Sequence, residues 1–201
     1  MSKIKICGLS QPESIECVNE VLPDYAGFMF FEKSKRYVTP EKAALLLKKL
    51  SPKIRSVGVF VNSPIEEIAE ILRICPVDLI QLHGSENEEF IKLVSSTFKK
   101  EVIKAFSVKT VQDIEMARLC AADFVLLDNG AGGTGEKFDW SLLEMMDRPY
   151  FLAGGLNPEN VAGALTLCSP FAVDVSSGVE TNGRKDNEKI KSFISIVRDI
   201  K

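Results

Sequence analysis

The sequence lacks the features that mark several large classes of protein. No stretch of its 201 residues reaches the ~18 consecutive apolar residues that a membrane-spanning helix requires. Residues 1–9 do not have the basic, apolar and small-residue layout of a secretory signal. No basic block occurs and the net charge is −3, so we expect neither nucleic acid nor a membrane surface as a partner.

Histidine and paired cysteines are also scarce. His83 is the only histidine, which excludes a multi-histidine metal site. The cysteines are odd in number and none belongs to a CxxC pair; they are Cys7, Cys17, Cys75, Cys120 and Cys168. This pattern is typical of free thiols in a reducing compartment, so we expect a cytoplasmic protein without a disulfide framework or a zinc site.

The composition that remains is that of a globular chain. Hydrophobic residues make up 45% of the sequence and charged residues 26%, which is enough apolar surface for a sizeable core. Neither a linker nor a low-complexity tract nor an internal repeat appears. The length therefore predicts one domain that covers residues 1–201.

Short β-rich runs alternate with amphipathic stretches along the whole chain. The runs begin near Lys3, Tyr25, Arg55, Asp78, Glu101, Asp123, Tyr150 and Phe171. Their spacing of roughly 20 to 30 residues suits one strand–helix unit each. Eight such units predict an α/β fold, a single-domain (β/α)₈ TIM barrel. An open doubly wound sheet is the alternative, but the sequence has no early GxGxxG to support it.

The stretches between the runs carry helix-start signals. Three of them have the spacing of a capping box, namely Ser10 with Glu13, Ser63 with Glu66 and Ser85 with Glu88. Two further signals place a capping side chain before a proline, namely Thr39-Pro40 and Asn157-Pro158. We therefore expect these side chains to cap the following helices.

Polar residues are concentrated where the predicted strands end. In a TIM barrel the functional face is formed by the C-terminal ends of the strands. Because side chains alternate along a strand, the apolar positions that face the helices also fix which side chains face the barrel axis. The inward-facing polar side chains are Lys5, Cys7, Gln81, His83, Asp128 and Asp174. Stability alone would favour apolar side chains there, so the pattern predicts a functional pocket.

Glycine-rich segments follow the last three strands. They are GGTG at residues 132–135, AGGL at residues 153–156 and SSG at residues 176–178. Glycine lets backbone N–H groups approach a ligand closely, and such groups favour a phosphate. A phosphate site after the seventh and eighth strands recurs in this fold. The sequence therefore predicts a phosphorylated ligand.

At these positions the chain resembles the phosphoribosylanthranilate isomerase family of tryptophan biosynthesis. The similar segments are KICG (5–8), SKR (34–36), GVF (58–60), QLHG (81–84), LD (127–128), GGTG (132–135), AGGLNPENV (153–161) and DVSSGVE (174–180). They run in family order from end to end, and as a set they are not shared by other phosphosugar barrels.

The resemblance implies the reaction and the residues that perform it. The reaction is the Amadori rearrangement of N-(5-phosphoribosyl)anthranilate to 1-(2-carboxyphenylamino)-1-deoxyribulose 5-phosphate. It implies neither a metal nor an organic cofactor, and we expect a monomer or a homodimer. The implied roles are Cys7 as general base, Asp128 as general acid, Arg36 for the anthranilate carboxylate, Asp174 for sugar hydroxyls, His83 in the pocket lining, and the amides around Gly155, Ser177 and Gly178 for the phosphate.

The role of Cys7 requires a thiolate, which neighbouring positive charge favours. Lys5 shares the orientation of Cys7 on the strand, and the helix that Ser10 is expected to cap begins close by. We therefore expect Lys5 and the N-terminus of this helix to stabilise the thiolate.

Other phosphosugar barrels and a barrel that binds without catalysis are the alternatives. An indole-glycerol-phosphate synthase would bring extra N-terminal helices and a lysine–glutamate pair, and a ribulose-phosphate epimerase would need metal-binding histidines. The two-substrate isomerases of histidine biosynthesis would need an aspartate where Cys7 stands. The presence of both Cys7 and Asp128 favours catalysis over binding alone.

Overall fold

A computed structural model describes residues 1–128 and 140–200 of the chain. Eight parallel strands form a closed barrel in which each strand pairs with the next and the last pairs with the first. The predicted TIM barrel is therefore confirmed. The strands are β1 Lys3–Cys7, β2 Tyr25–Met29, β3 Arg55–Phe60, β4 Leu79–Leu82, β5 Glu101–Ser107, β6 Phe124–Asp128, β7 Tyr150–Leu152 and β8 Ala172–Val175.

Helices connect the strands on the outside of the barrel. They are α1 Pro12–Val21, α2 Pro40–Leu47, α3 Ile65–Ile74, α4 Glu88–Phe98, α5 Val111–Leu119, α6 Val161–Leu167 and α7 Asn187–Asp199. Between β6 and β7 the described chain has a 3-10 helix, Trp140–Met145, in place of an α-helix. Within residues 1–128 and 140–200, no helix is both long enough and apolar enough to cross a membrane.

The helix starts differ in part from those that the sequence predicts. Thr39 does cap α2, because its side chain accepts a hydrogen bond from the backbone N–H of Lys42. The three serine caps are wrong, since the residues before α1, α3 and α4 are Gln11, Pro64 and Asn87. Asn157 does not cap α6 either, because that helix begins only at Val161.

Two apolar clusters account for the orientation of side chains on the strands. The outer cluster joins strand residues such as Ile4 and Ile6 to the inner faces of the helices. The inner cluster fills the barrel and consists of Cys7, Tyr25, Val57, Val59, Leu79, Ile103, Ala105, Leu126, Phe151, Ala153 and Ala172. Each fully buried aliphatic or aromatic side chain contributes about 1.5–3 kcal/mol, so the inward and outward orientations are strongly fixed.

A two-stranded hairpin follows β8 and returns the chain to the mouth of the barrel. Its strands are β9 Glu180–Thr181 and β10 Arg184–Lys185. The turn residues Asn182 and Gly183 have φ angles of 53° and 75°, and asparagine followed by glycine is the sequence that such a hairpin turn prefers. The pairing places Lys185 opposite Glu180, next to the strand ends.

Candidate active site

A cavity of about 420 Å³ opens at the C-terminal ends of the strands. Small-molecule pockets commonly measure about 300–1,000 Å³, so this cavity has room for a substrate of modest size. Seven of the eight residues that the sequence analysis singles out line it, namely Cys7, Arg36, His83, Asp128, Gly155, Asp174 and Ser177. Gly178 does not line this cavity; it packs against the backbone of Leu156, which does.

Lys5 and Asp174 form an ion pair inside the barrel. The register of β1 and β8 places these residues opposite each other, and Lys5 Nζ lies 2.8 Å from Asp174 Oδ2. Lys5 is fully buried and Asp174 is 8% exposed. Burial disfavours the ammonium, yet the attraction of Asp174 and of Cys7 leaves the pKa of Lys5 above its ordinary value. Lys5 is therefore a fixed positive charge beside Cys7.

The Cys7 thiol is subject to opposing effects. Burial raises the pKa of Cys7 above its ordinary value, while the positive charges of Lys5 and Lys185 act in the opposite direction. The thiol is therefore protonated at neutral pH, and the two cations reduce the cost of removing its proton. The helix whose N-terminus was expected to stabilise the Cys7 thiolate is α1. It begins at Pro12, and the residue before it, Gln11, makes no side-chain capping bond.

Arg36, Glu180 and Lys185 form a charged network at the rim of the cavity. Arg36 donates from Nε and Nη2 to the two oxygens of Glu180, at 2.7 and 2.9 Å. Lys185 Nζ donates to Glu180 Oε1 at 2.6 Å and to the carbonyl of Ser176 at 2.8 Å. Although burial opposes it, the hydrogen bonds from Arg36 and Lys185 lower the pKa of Glu180. A guanidinium has five N–H donors, so three remain that Glu180 does not engage.

His83 extends from the end of β4 into the cavity. Its backbone N–H donates to the carbonyl of Phe60 at 2.8 Å, which continues the pairing with β3 beyond the last strand residue. Its Nδ1 lies 2.8 Å from Nε2 of Gln81. Burial lowers the pKa of His83 below its ordinary value, and the nearby carboxylate of Asp128 only partly offsets this effect. The ring is therefore neutral at pH 7.

Asp128 is the last residue of β6 and lines the cavity. Its carbonyl accepts a hydrogen bond of 2.8 Å from the N–H of Val108, and the carbonyl of Leu127 accepts one of 2.9 Å from Ala153. The backbone of this strand end is thus held from both neighbouring strands. The glycine-rich segment 132–135, which the sequence analysis places after this strand, lies outside the described residues.

The loops after β7 and β8 meet on one side of the cavity. Gly154 and Gly155 have φ angles of 89° and 69°, in the left-handed region that favours glycine. A Cβ atom on Gly178 would lie 1.8 Å from the carbonyl oxygen of Leu156, so only glycine fits where the two loops touch. Gly155 and Ser177 are thereby brought to the same edge of the cavity.

Neither Glu180 nor Lys185 is predicted from the sequence to take part in the site. Lys185 belongs to a run of charged residues, 184–186, and such a run usually indicates a solvent-exposed surface. Its side chain is nevertheless only 3% exposed. The Asn182-Gly183 pair was the available signal, because it predicts a hairpin that folds Lys185 back onto the residues after β8.

Comparison with known proteins agrees with this geometry. The family model for N-(5'-phosphoribosyl)anthranilate (PRA) isomerase matches residues 4–196. A curated N-(5'-phosphoribosyl)anthranilate isomerase from Clostridium acetobutylicum is 47% identical, over all of both chains.

Solved structures of this family also match over the full length of both chains. One is a phosphoribosyl anthranilate isomerase in complex with reduced 1-(o-carboxyphenylamino)-1-deoxyribulose 5-phosphate, at 39% identity and a TM-score of 0.88. Another shows mutually generated monomers of the dimeric enzyme from Thermotoga maritima, at 39% identity and a TM-score of 0.87. The chain therefore belongs to the N-(5'-phosphoribosyl)anthranilate isomerase family.

Proposed function

We propose that this chain converts N-(5-phosphoribosyl)anthranilate to 1-(2-carboxyphenylamino)-1-deoxyribulose 5-phosphate, with Cys7 as general base and Asp128 as general acid. The reaction is the third step from chorismate to tryptophan. The observation that carries the proposal is the placement of a thiol and a carboxyl on β1 and β6, at one cavity mouth, in a chain of this family. Two groups on separate strands can act on different sides of a bound sugar.

The two groups would act in successive steps. Asp128 would give a proton to the ring oxygen of the sugar while the bond between that oxygen and C1 breaks and the anthranilate nitrogen forms a Schiff base with C1. Cys7 would then take the proton from C2, and the electrons of that C–H bond would form the enolamine. Tautomerisation of the enolamine to the ketone completes the rearrangement. Lys5 beside Cys7 would stabilise the thiolate.

The remaining residues would bind the substrate. Arg36 has donors that Glu180 does not engage, and a planar guanidinium suits the anthranilate carboxylate. Asp174 Oδ1 is buried without a hydrogen-bond partner among the described residues, so a sugar hydroxyl could donate to it. The amides around Gly155, Ser177 and Gly178 would hold the phosphate, and His83 would line the pocket. The ligand bound by the solved relative carries a carboxyphenyl group and a phosphate.

A direct assay tests the proposed function. Phosphoribosylanthranilate is generated in place from anthranilate and phosphoribosyl pyrophosphate, and the loss of its fluorescence is followed. We expect the wild-type chain to accelerate this loss well beyond the spontaneous rate and to release the carboxyphenylamino product. If the phosphosugar binds but its fluorescence decays at the spontaneous rate, the chain is a binding protein or acts on another substrate.

Removing the positive charge of Lys5 is expected to move the pH dependence of the reaction. Since Lys5 favours the Cys7 thiolate, Lys5→Met raises the pKa of Cys7. A base must be deprotonated to act, so the rising limb of kcat/KM shifts to higher pH. Measurement of kcat/KM against pH for the wild type and the variant checks this shift. If the rising limb of kcat/KM lies at the same pH in both proteins, Lys5 acts only through its ion pair with Asp174.

The proposal extends to the domain organisation, the oligomeric state and the cellular location of the chain. We propose that residues 1–201 act as one barrel domain on a phosphosugar substrate, as a monomer or a homodimer. The Thermotoga maritima relative is described as dimeric. All five cysteines are free thiols, which supports a cytoplasmic location.

A further inference from the structure

Gln81 is a polar side chain at a position where the barrel interior is otherwise largely apolar. It is 1% exposed, and its neighbours in the strand register are Val59 on β3 and Ile103 on β5. Burying an amide without a hydrogen bond costs about 1–3 kcal/mol, so its presence calls for a partner. The side-chain contact that the structure gives it is the one between Gln81 Nε2 and His83 Nδ1, at 2.8 Å, while Gln81 Oε1 is buried without a hydrogen-bond partner among the described residues.

The orientation of the Gln81 amide, with Nε2 facing His83 Nδ1, determines which imidazole nitrogen carries the proton. An amide nitrogen can donate a hydrogen bond but has no lone pair with which to accept one. With Gln81 Nε2 facing it, His83 Nδ1 is the acceptor and does not carry the proton. In a neutral imidazole exactly one nitrogen is protonated, so the proton lies on Nε2. Gln81 and His83 are two residues apart on one strand, which places both side chains on its inner face.

Burial, and not the surrounding charges, keeps the His83 ring neutral. Asp128 on β6 and Asp174 on β8 attract a proton to the imidazole, while Lys5 on β1 and Lys104 on β5 oppose it. Burial outweighs these charges and lowers the pKa of His83, so the ring stays uncharged at neutral pH.

We propose that Gln81 is a positioning residue that holds His83 as the neutral tautomer protonated on Nε2. His83 then offers the cavity a hydrogen-bond donor and not a second base. The identity of the hydrogen-bond acceptor rests on the proposed function. In that reaction an oxygen of the sugar can accept the hydrogen bond from His83 Nε2. Proton abstraction is left to Cys7, because the lone pair of Nδ1 is already occupied by Gln81.

The single histidine allows a direct measurement on the whole protein. We would label the chain with ¹⁵N-histidine and record long-range ¹H–¹⁵N correlations, which contain the resonances of His83 alone. The expected spectrum at neutral pH shows Nδ1 far downfield, as an unprotonated nitrogen, and Nε2 upfield, as a protonated one. A proton on Nδ1, or two equivalent protonated nitrogens of a charged ring, would overturn the proposal.

A charged replacement of Gln81 tests whether this residue determines which nitrogen of His83 carries the proton. An ionised carboxylate can only accept, so Gln81→Glu is expected to draw a proton onto Nδ1 and to raise the pKa of His83. Gln112→Glu, on the exposed face of α5, adds the same charge elsewhere and should leave the His83 resonances unchanged. If Gln81→Glu does not fold, Gln81→Met removes the donor and should yield a mixture of tautomers. Resonances that match the wild type in the folded Gln81 variant would contradict the proposal.

The NMR spectrum tests the tautomer of His83 and the turnover assay tests the proposed function, so either proposal can be wrong while the other holds. A chain that does not isomerise phosphoribosylanthranilate but shows protonated Nε2 loses the proposed function and keeps this tautomer. An active chain with protonated Nδ1 keeps the function and loses the inference. In an active chain, Gln81→Met should also lower kcat/KM by roughly 2- to 12-fold, the range for one neutral hydrogen bond.

Discussion

Replacement of Cys7 by serine is expected to lower kcat/KM by roughly 10²- to 10⁴-fold, the usual contribution of a positioned general base. A hydroxyl is far less acidic than a thiol, so the nearby Lys5 that favours a thiolate cannot make serine an equivalent base. The smaller oxygen fits the space, since Cys7 Sγ lies closely against Gly27, where a Cβ would come within 2.9 Å of it. The assay is the fluorescence decay of phosphoribosylanthranilate.

A matched variant separates this effect from a general loss of structure. Cys17 is also buried, and its thiol lies 3.7 Å from the carbonyl of Asn187, a bond that a serine hydroxyl can replace. Cys17→Ser should therefore fold and turn over substrate like the wild type. Equal activity of the two serine variants would mean that Cys7 is not the base.

The sequence predicted the strands closely because their apolar alternation reflects the two clusters that bury them. Five of the eight predicted starts agree with the structure, and the starts at Asp78, Asp123 and Phe171 are each early by one residue. Asp78 and Asp123 do not belong to their strands for a shared reason: their carboxylates accept hydrogen bonds from the backbone N–H groups of Ser56 and Val102 on the preceding strands.

Helix caps were predicted less well, because the spacing of capping residues in the sequence does not determine at which residue the helix begins. The Ser85–Glu88 spacing fits a capping box, yet Asn87 caps α4 by accepting a hydrogen bond from Phe90. A true reciprocal box lies between Thr110 and Asp113, which the sequence analysis did not single out. Several capping side chains compete within a few residues, and each bond contributes only about 1 kcal/mol. Tertiary packing therefore decides among them.

The candidate site was predicted where it depends on strand alternation and missed where it depends on a loop. The inward orientation of Cys7 and Asp174 follows from the apolar residues beside them on β1 and β8. Glu180 and Lys185 reach the rim only through a hairpin whose pairing brings them together. Nothing in the alternation of a barrel strand encodes that contact. Their burial thus became visible only in the structure.

Replacement of Asp128 by asparagine is expected to lower kcat/KM by a similar factor, roughly 10² to 10⁴, but at a different step. An amide has nearly the shape of a carboxyl group but cannot deliver a proton to the ring oxygen. Ring opening would then limit the reaction, and removal of the C2 proton would not. Asp199→Asn, an exposed position at the end of α7, makes the same carboxyl-to-amide change and should leave activity unchanged.

Deuterium at C2 of the substrate distinguishes the two variants. In Cys7→Ser the C–H bond breaks in the slow step, so the deuterated substrate should react more slowly than the unlabelled one. In Asp128→Asn ring opening precedes that step, so both substrates should react at the same rate. A large isotope effect in Asp128→Asn would place Asp128 in proton removal at C2 and exchange the proposed roles. The same measurement in the wild type shows which step the intact pocket leaves slowest, and hence which residue limits turnover.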